Sequence, residues 1–233
     1  MFRVLMLLAV VGTLILAASP GLAGNGTLRL SWDSCDPVVV NKDWAGAALY
    51  TQVLSITGAD VVNNGNRSQV LIGPNVEDAW RFDSEGCQTG QLTVSFAGAS
   101  KACAVFQGGN SLPLTQYSYD AMSGTAKLDV ANAYDDFTPV AGNRYTVYQA
   151  KYDHAFSDTG AQDPNLACGF VENAVCFWLM VSDAELLLTD GSKEGFEGAD
   201  NDWVTWQDPG NTSGCPFVQA EPSTWGRVKG LYR

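Results

Sequence analysis

The feature that most constrains this chain is a two-residue alternation of apolar and polar side chains that keeps returning along its length. Leu28, Leu30 and Trp32 alternate with Arg29, Ser31 and Asp33, Leu92, Val94 and Phe96 with Gln91, Thr93 and Ser95, and Leu128, Val130 and Tyr134 stand against Lys127 and Asp129. Successive side chains of an extended strand point to opposite faces, so each run predicts a strand with one buried side. Residues 50–57 and 68–72, bounded by Gly, Asn and Pro, read as shorter strands. Residues 114–120 and 125–134 read as a hairpin whose connector, Ala121-Met122-Ser123-Gly124, ends in a glycine that can take positive φ. Residues 144–154 and 202–207 complete the series. The run 176–181, Cys-Phe-Trp-Leu-Met-Val, is apolar on both faces and suits the middle of a packed sheet, with a buried helix as the alternative. Helical periodicity is confined to residues 75–86, with Asn75 as N-cap and Gly86 as stop.

No repeat of 20 to 50 residues and no Pro-rich or Gly/Ser linker divides the 233 residues. The reading is all-β: one two-layer antiparallel β-sandwich, immunoglobulin-like in the broad sense, spanning residues 24–233. Residues 1–23 read as a signal peptide. Arg3 precedes an apolar run from Val4 to Ala18, and Gly21 and Ala23 supply small side chains for cleavage after Ala23, with Ala18 as a second site. That run is short for a membrane span and is followed by Pro20, so no membrane insertion is expected after cleavage. The expected location is secreted or periplasmic.

Cys35, Cys87, Cys103, Cys168, Cys176 and Cys215 all follow this segment, and an even count in an exported chain reads as about three disulfides. About 15 connectivities are open. The short interval between Cys168 and Cys176 favours that pair by local closure. The formal net charge is −12, and −13 once residues 1–23 leave with Arg3, a balance that repels nucleic acid.

A catalytic constellation is not legible. His154 is the single imidazole, its neighbour Asp153 points to the other face of a strand, and no Gly-x-Ser-x-Gly elbow is present. Twenty-five acids carry no spacing that names a glycosidase pair. Residues 183–208 hold eight acids against Lys193, and Asp200 and Asp202 within them form a candidate calcium site, though without the order of a helix-loop-helix calcium loop. No other cofactor is expected. The candidate ligand-binding residues are aromatic: Tyr148 and Tyr152 share a face with His154, and Tyr117 and Tyr119 share a face of the hairpin. On an outer face they would stack a sugar or dock a partner, and on an inner face they are core. Trp203 and Trp206, three apart, point to opposite sides. Asn25, Asn66 and Asn211 open Asn-x-Ser/Thr triplets.

The tail Thr224-Trp-Gly-Arg-Val-Lys-Gly-Leu-Tyr-Arg233, with Cys215-Pro216, Asp78-Ala-Trp-Arg-Phe82 and Ser31-Trp-Asp-Ser-Cys35, resembles a group of uncharacterised secreted bacterial proteins. The resemblance implies an exported bacterial domain and carries no activity. The functional expectation is a secreted, non-enzymatic β-sandwich acting as a structural, adhesion or partner-binding module toward a protein or glycan. A carbohydrate-binding module with exposed aromatics is the first alternative, and a carboxylate-based glycan hydrolase the second.

Overall fold

In the computed structural model, residues 26–46, 48–58, 61–97, 103–107, 109–157, 168–208 and 215 are described. They form fourteen strands: β1 (Thr27–Trp32), β2 (Asn41–Lys42), β3 (Leu49–Thr57), β4 (Asn63–Gly73), β5 (Leu92–Ser95), β6 (Ala104–Val105), β7 (Ser111–Asp120), β8 (Thr125–Phe137), β9 (Arg144–Asp153), β10 (Val175–Leu179), β11 (Glu185–Leu188), β12 (Lys193–Gly195), β13 (Gly198–Asn201) and β14 (Trp203–Trp206). The six-stranded sheet runs β13-β1-β3-β9-β5, with β6 also on β9. The eight-stranded sheet runs β12-β11-β4-β10-β14-β2, and β8 joins it on β4 with β7 beyond. The long ladders are antiparallel, the pairing that commonly leaves one face of a sheet to solvent. Three short pairings, β1 with β13, β14 with β2 and β6 with β9, are parallel.

The chain changes sheets repeatedly, so both layers are needed to bury either one. Inward positions of β1 and β3 bring Leu28, Leu30, Trp32, Leu54 and Ile56 against Val70, Ile72, Leu128, Phe177 and Val204 of the other sheet in one buried cluster. Trp32, Trp80, Trp206, Tyr148, Tyr152, Phe106 and Phe177 are its largest fully buried side chains. Of the three fully buried indoles among the described residues two are hydrogen-bonded, Trp32 Nε1 donating to the Thr205 carbonyl at 2.8 Å and Trp206 Nε1 to that of Val171 at 2.5 Å, while Trp80 Nε1 has no partner. Burial of the first two rings is thus not offset by lost donors, whereas Trp80 is buried at the cost of an unpaired N–H.

Two sequence expectations are corrected. Residues 75–86 are not a helix, and hold one 3₁₀ turn over Asp78–Trp80. Asn75 has φ 55°, outside helical space. The segment instead tucks Val76, Ala79, Trp80 and Phe82 under the sandwich, so the apolar spacing that mimics a helical face comes from one tight turn. The disulfides are Cys35–Cys103, Cys87–Cys168 and Cys176–Cys215, with no Cys168–Cys176 bridge. Cys168 belongs to the core cluster, whereas Cys176 stands one position off the inward Phe177 and points outward from β10. Short closure is overruled because the two sulfurs lie on opposite sides of a sheet. The hairpin forms with β7 and β8 in register, and Gly124 adopts φ 64° in its connector.

Candidate functional site

The expected aromatic row does not make an outer platform. Tyr148 and Tyr152 are fully buried in the core, and burial pushes both phenols well above their ordinary range. Tyr117 and Tyr119 lie on the inward side of β7, opposite Leu128 and Ala126, and are half-buried. The Tyr117 hydroxyl donates to the Trp80 carbonyl. Tyr119 lies under the Arg81 guanidinium, 3.9 Å from the ring centre, while Arg81 donates twice to Asp83 at 2.7 and 2.8 Å. The four tyrosines are packing and anchoring groups, for a reason readable in the ladders: they pair with the inward Leu128 (Tyr117), Ala126 (Tyr119), Leu54 (Tyr148) and Tyr50 (Tyr152).

His154 is enclosed. Trp80 lies 4.5 Å away ring to ring, Trp206 stacks at 5.5 Å, and Phe82, Tyr50 and Trp44 stand at 5.6, 5.8 and 6.0 Å. Its Nδ1 meets Ser157 Oγ at 3.1 Å, and that hydroxyl accepts from Gln88 Nε2 at 2.7 Å. Burial pushes its pKa down to about 3, so the ring is neutral at pH 7. Asp153 faces away and accepts from the Ala155 backbone N–H, as strand alternation requires.

Asp200 and Asp202 part company. Asp200 accepts from Arg29 at 3.2 Å and also from Arg144, on the six-stranded sheet. Asp202 accepts from Trp178 Nε1 at 3.2 Å, on the other sheet. The two carboxylates are not aimed at one point, and among the described residues no group of three or more His, Cys, Asp or Glu could hold a metal ion. Asn66 is buried on the inward side of β4, where its amide approaches Tyr134 Oη, so its triplet is not an acceptor site in the folded chain. Asn25, Asn211 and the 224–233 tail lie outside the described residues.

The feature that stands out is on the outer face of the eight-stranded sheet. Cross-strand register lines up two rows there. One runs Leu112, Ala133, Gly65, Leu187, Lys193, and the next runs Leu114, Ala131, Arg67, Glu185. These residues line an open groove of about 330 Å³. With strands about 4.8 Å apart, the first row spans roughly 19 Å, and the second lies about 7 Å along the strands. Small side chains make the floor and leucines the walls. A Cβ on Gly65 would come within 3.1 Å of the Asn132 carbonyl and 3.3 Å of Leu187 Cβ, so the floor is already at packing distance there. Leu112 and Leu114 are 79% and 68% exposed, an unusual state for consecutive outward leucines on one strand.

Sequence reasoning missed this face, although a signal exists. From 111 to 119 the apolar side chains occupy 112 and 114 and then 117 and 119. That change of parity on an unbulged strand leaves one pair outside, and the inward tyrosines determine which. Farther along the same face, Trp178 stands opposite Trp203, both half-buried.

No family model matches this chain, and no curated protein matches it. Among solved structures it is similar to a cohesin module from a Clostridium perfringens family 33 glycoside hydrolase, with 8% identity, TM-score 0.36, and coverage of 78% of this chain and 93% of that one. It is also similar to the second type II cohesin module of the ScaA scaffoldin of Acetivibrio cellulolyticus, with 10% identity, TM-score 0.38, and coverage of 77% and 96%. At such identities and scores the likeness transfers neither partner nor residue roles, and the sandwich stands on its own two sheets.

Proposed function

We propose that this chain is an exported, non-enzymatic β-sandwich module that binds a protein partner through the outer face of its eight-stranded sheet. The observation that carries the reading is the groove walled by the exposed Leu112 and Leu114 over a floor of Gly65, Ala131 and Ala133. Solvent-facing leucines beside small residues give a partner apolar area to bury at about 25 cal/mol per Å². Three disulfides favour a secreted or periplasmic setting, where such bridges persist. His154, sealed by five aromatic rings, has no route to a substrate.

The test is binding of purified, oxidised protein to an array of exported proteins and glycans from its host. A protein hit is expected, lost in Leu112→Asp/Leu114→Asp and retained in Met122→Asp, a substitution in the exposed hairpin connector. Binding that ignores the leucine substitutions, or a glycan hit alone, would overturn the reading.

A further inference from the structure

We infer that the groove takes an acidic amphipathic segment of its partner, one that sets apolar side chains on the leucine walls and a carboxylate on Arg67 and Lys193. This rests on the groove being the partner-binding face. Four charged side chains border the groove and its extension along β7 and β8: Arg67, Lys193, Glu185 and Asp129. Their number balances and their exposure does not. The Lys193 and Arg67 side chains are 60% and 50% exposed, against 28% for Glu185 and 22% for Asp129. A partner descending on this face therefore meets cations first.

Asp129 is also heavily shared. It accepts from Gln69 Nε2 at 2.5 Å and lies 3.1 Å from Lys127 Nζ, which leaves Arg67 at 3.8 Å, beyond hydrogen-bond reach. A guanidinium has five donors in a fork suited to a carboxylate, so Arg67 retains most of its capacity. Among the described residues the other arginines are engaged: Arg81 by Asp83, and Arg29 and Arg144 by Asp200. Lys193 Nζ donates to Glu185 Oε1 at 2.6 Å and keeps two of its three donors, so in a chain of net charge −12 these two exposed cations attract an acidic segment to this face. Arg67 lies between Ala131 and Glu185 in the second row, so the carboxylate would sit about 7 Å along the strands from the Gly65 floor, the spacing of alternate residues in an extended peptide.

The probes are three synthetic nonapeptides with leucine at alternate positions except one of that same face, which is Glu, Ser or Lys, and serine at the positions between, titrated by fluorescence anisotropy at low and high salt. The expected result is that the Glu peptide binds about tenfold tighter than the Lys peptide at low salt. Arg67→Glu/Lys193→Glu reverses the order, and Leu114→Asp abolishes binding of all three. Thermal melts check that each variant folds. If the Ser or Lys peptide binds as tightly as the Glu peptide while still requiring Leu114, the charge inference is overturned and the groove reading survives. If no peptide binds in a Leu114-dependent way, both fall.

Discussion

His154 shows how far a residue's chemistry is decided by its enclosure. With the folded pKa pushed down to about 3 and an unfolded value near 6.5, the unfolded chain binds the extra proton between those pH values, so stability falls as pH drops through that window. At full effect the slope is about 1.4 kcal/mol per pH unit. Urea denaturation from pH 7 to pH 4 should therefore destabilise the native chain more steeply than His154→Phe, and parallel curves for the two would count against a buried neutral imidazole. A second contrast separates the two tryptophans of β14. Trp206→Ala removes a fully buried ring and strands the Val171 carbonyl, for an expected loss of about 3–5 kcal/mol, whereas Trp203→Ala on the outer face should cost less than half of that by chemical denaturation. The opposite facing of these residues was readable from their spacing. The fate of the tyrosines was not, because alternation says which side chains share a face and leaves open which face is covered.

At the scale of elements, the alternating runs became strands almost where they were read, including the hairpin over 111–137 and the central β10. Period-2 patterning survives tertiary context because a one-residue slip would turn every core side chain outward. The failed helix at 75–86 lacked that protection, since four apolar residues around a single turn satisfy a helical spacing without forming one. Disulfide pairing was illegible for a related reason: closure entropy depends only on separation, while the choice of partner depends on which side of a sheet each sulfur leaves from. Peptide mapping of non-reduced protein should recover the Cys35–Cys103, Cys87–Cys168 and Cys176–Cys215 pairs. Cys176→Ser/Cys215→Ser is expected to lose about 4 kcal/mol, from release of a 39-residue separation. The groove leucines behave oppositely. Leu114→Asp should leave stability within about 0.5 kcal/mol of the native chain, as exposed substitutions do, while removing partner binding.

At the scale of the whole molecule, the outer faces of the two sheets differ. The six-stranded sheet carries on its outer side the Arg29, Arg144 and Asp200 cluster, where burial and the neighbouring Arg29 charge lower the Arg144 pKa and Asp200 opposes them in part, and the Cys35–Cys103 bridge packed on Val53. That face is occupied by its own charges and sulfurs. The eight-stranded sheet keeps apolar area uncovered, and with it the cations that an acidic chain holds in the minority. The most direct measurement is a hydrogen-exchange footprint of the intact, oxidised protein with its captured partner bound. Slowed exchange is expected in β7, β8 and the first half of β4, around Leu112, Leu114, Ala131 and Arg67, with the six-stranded sheet unchanged. A footprint on β3, β5 or β9, or none on the eight-stranded sheet, would contradict the assignment of that face as the working surface.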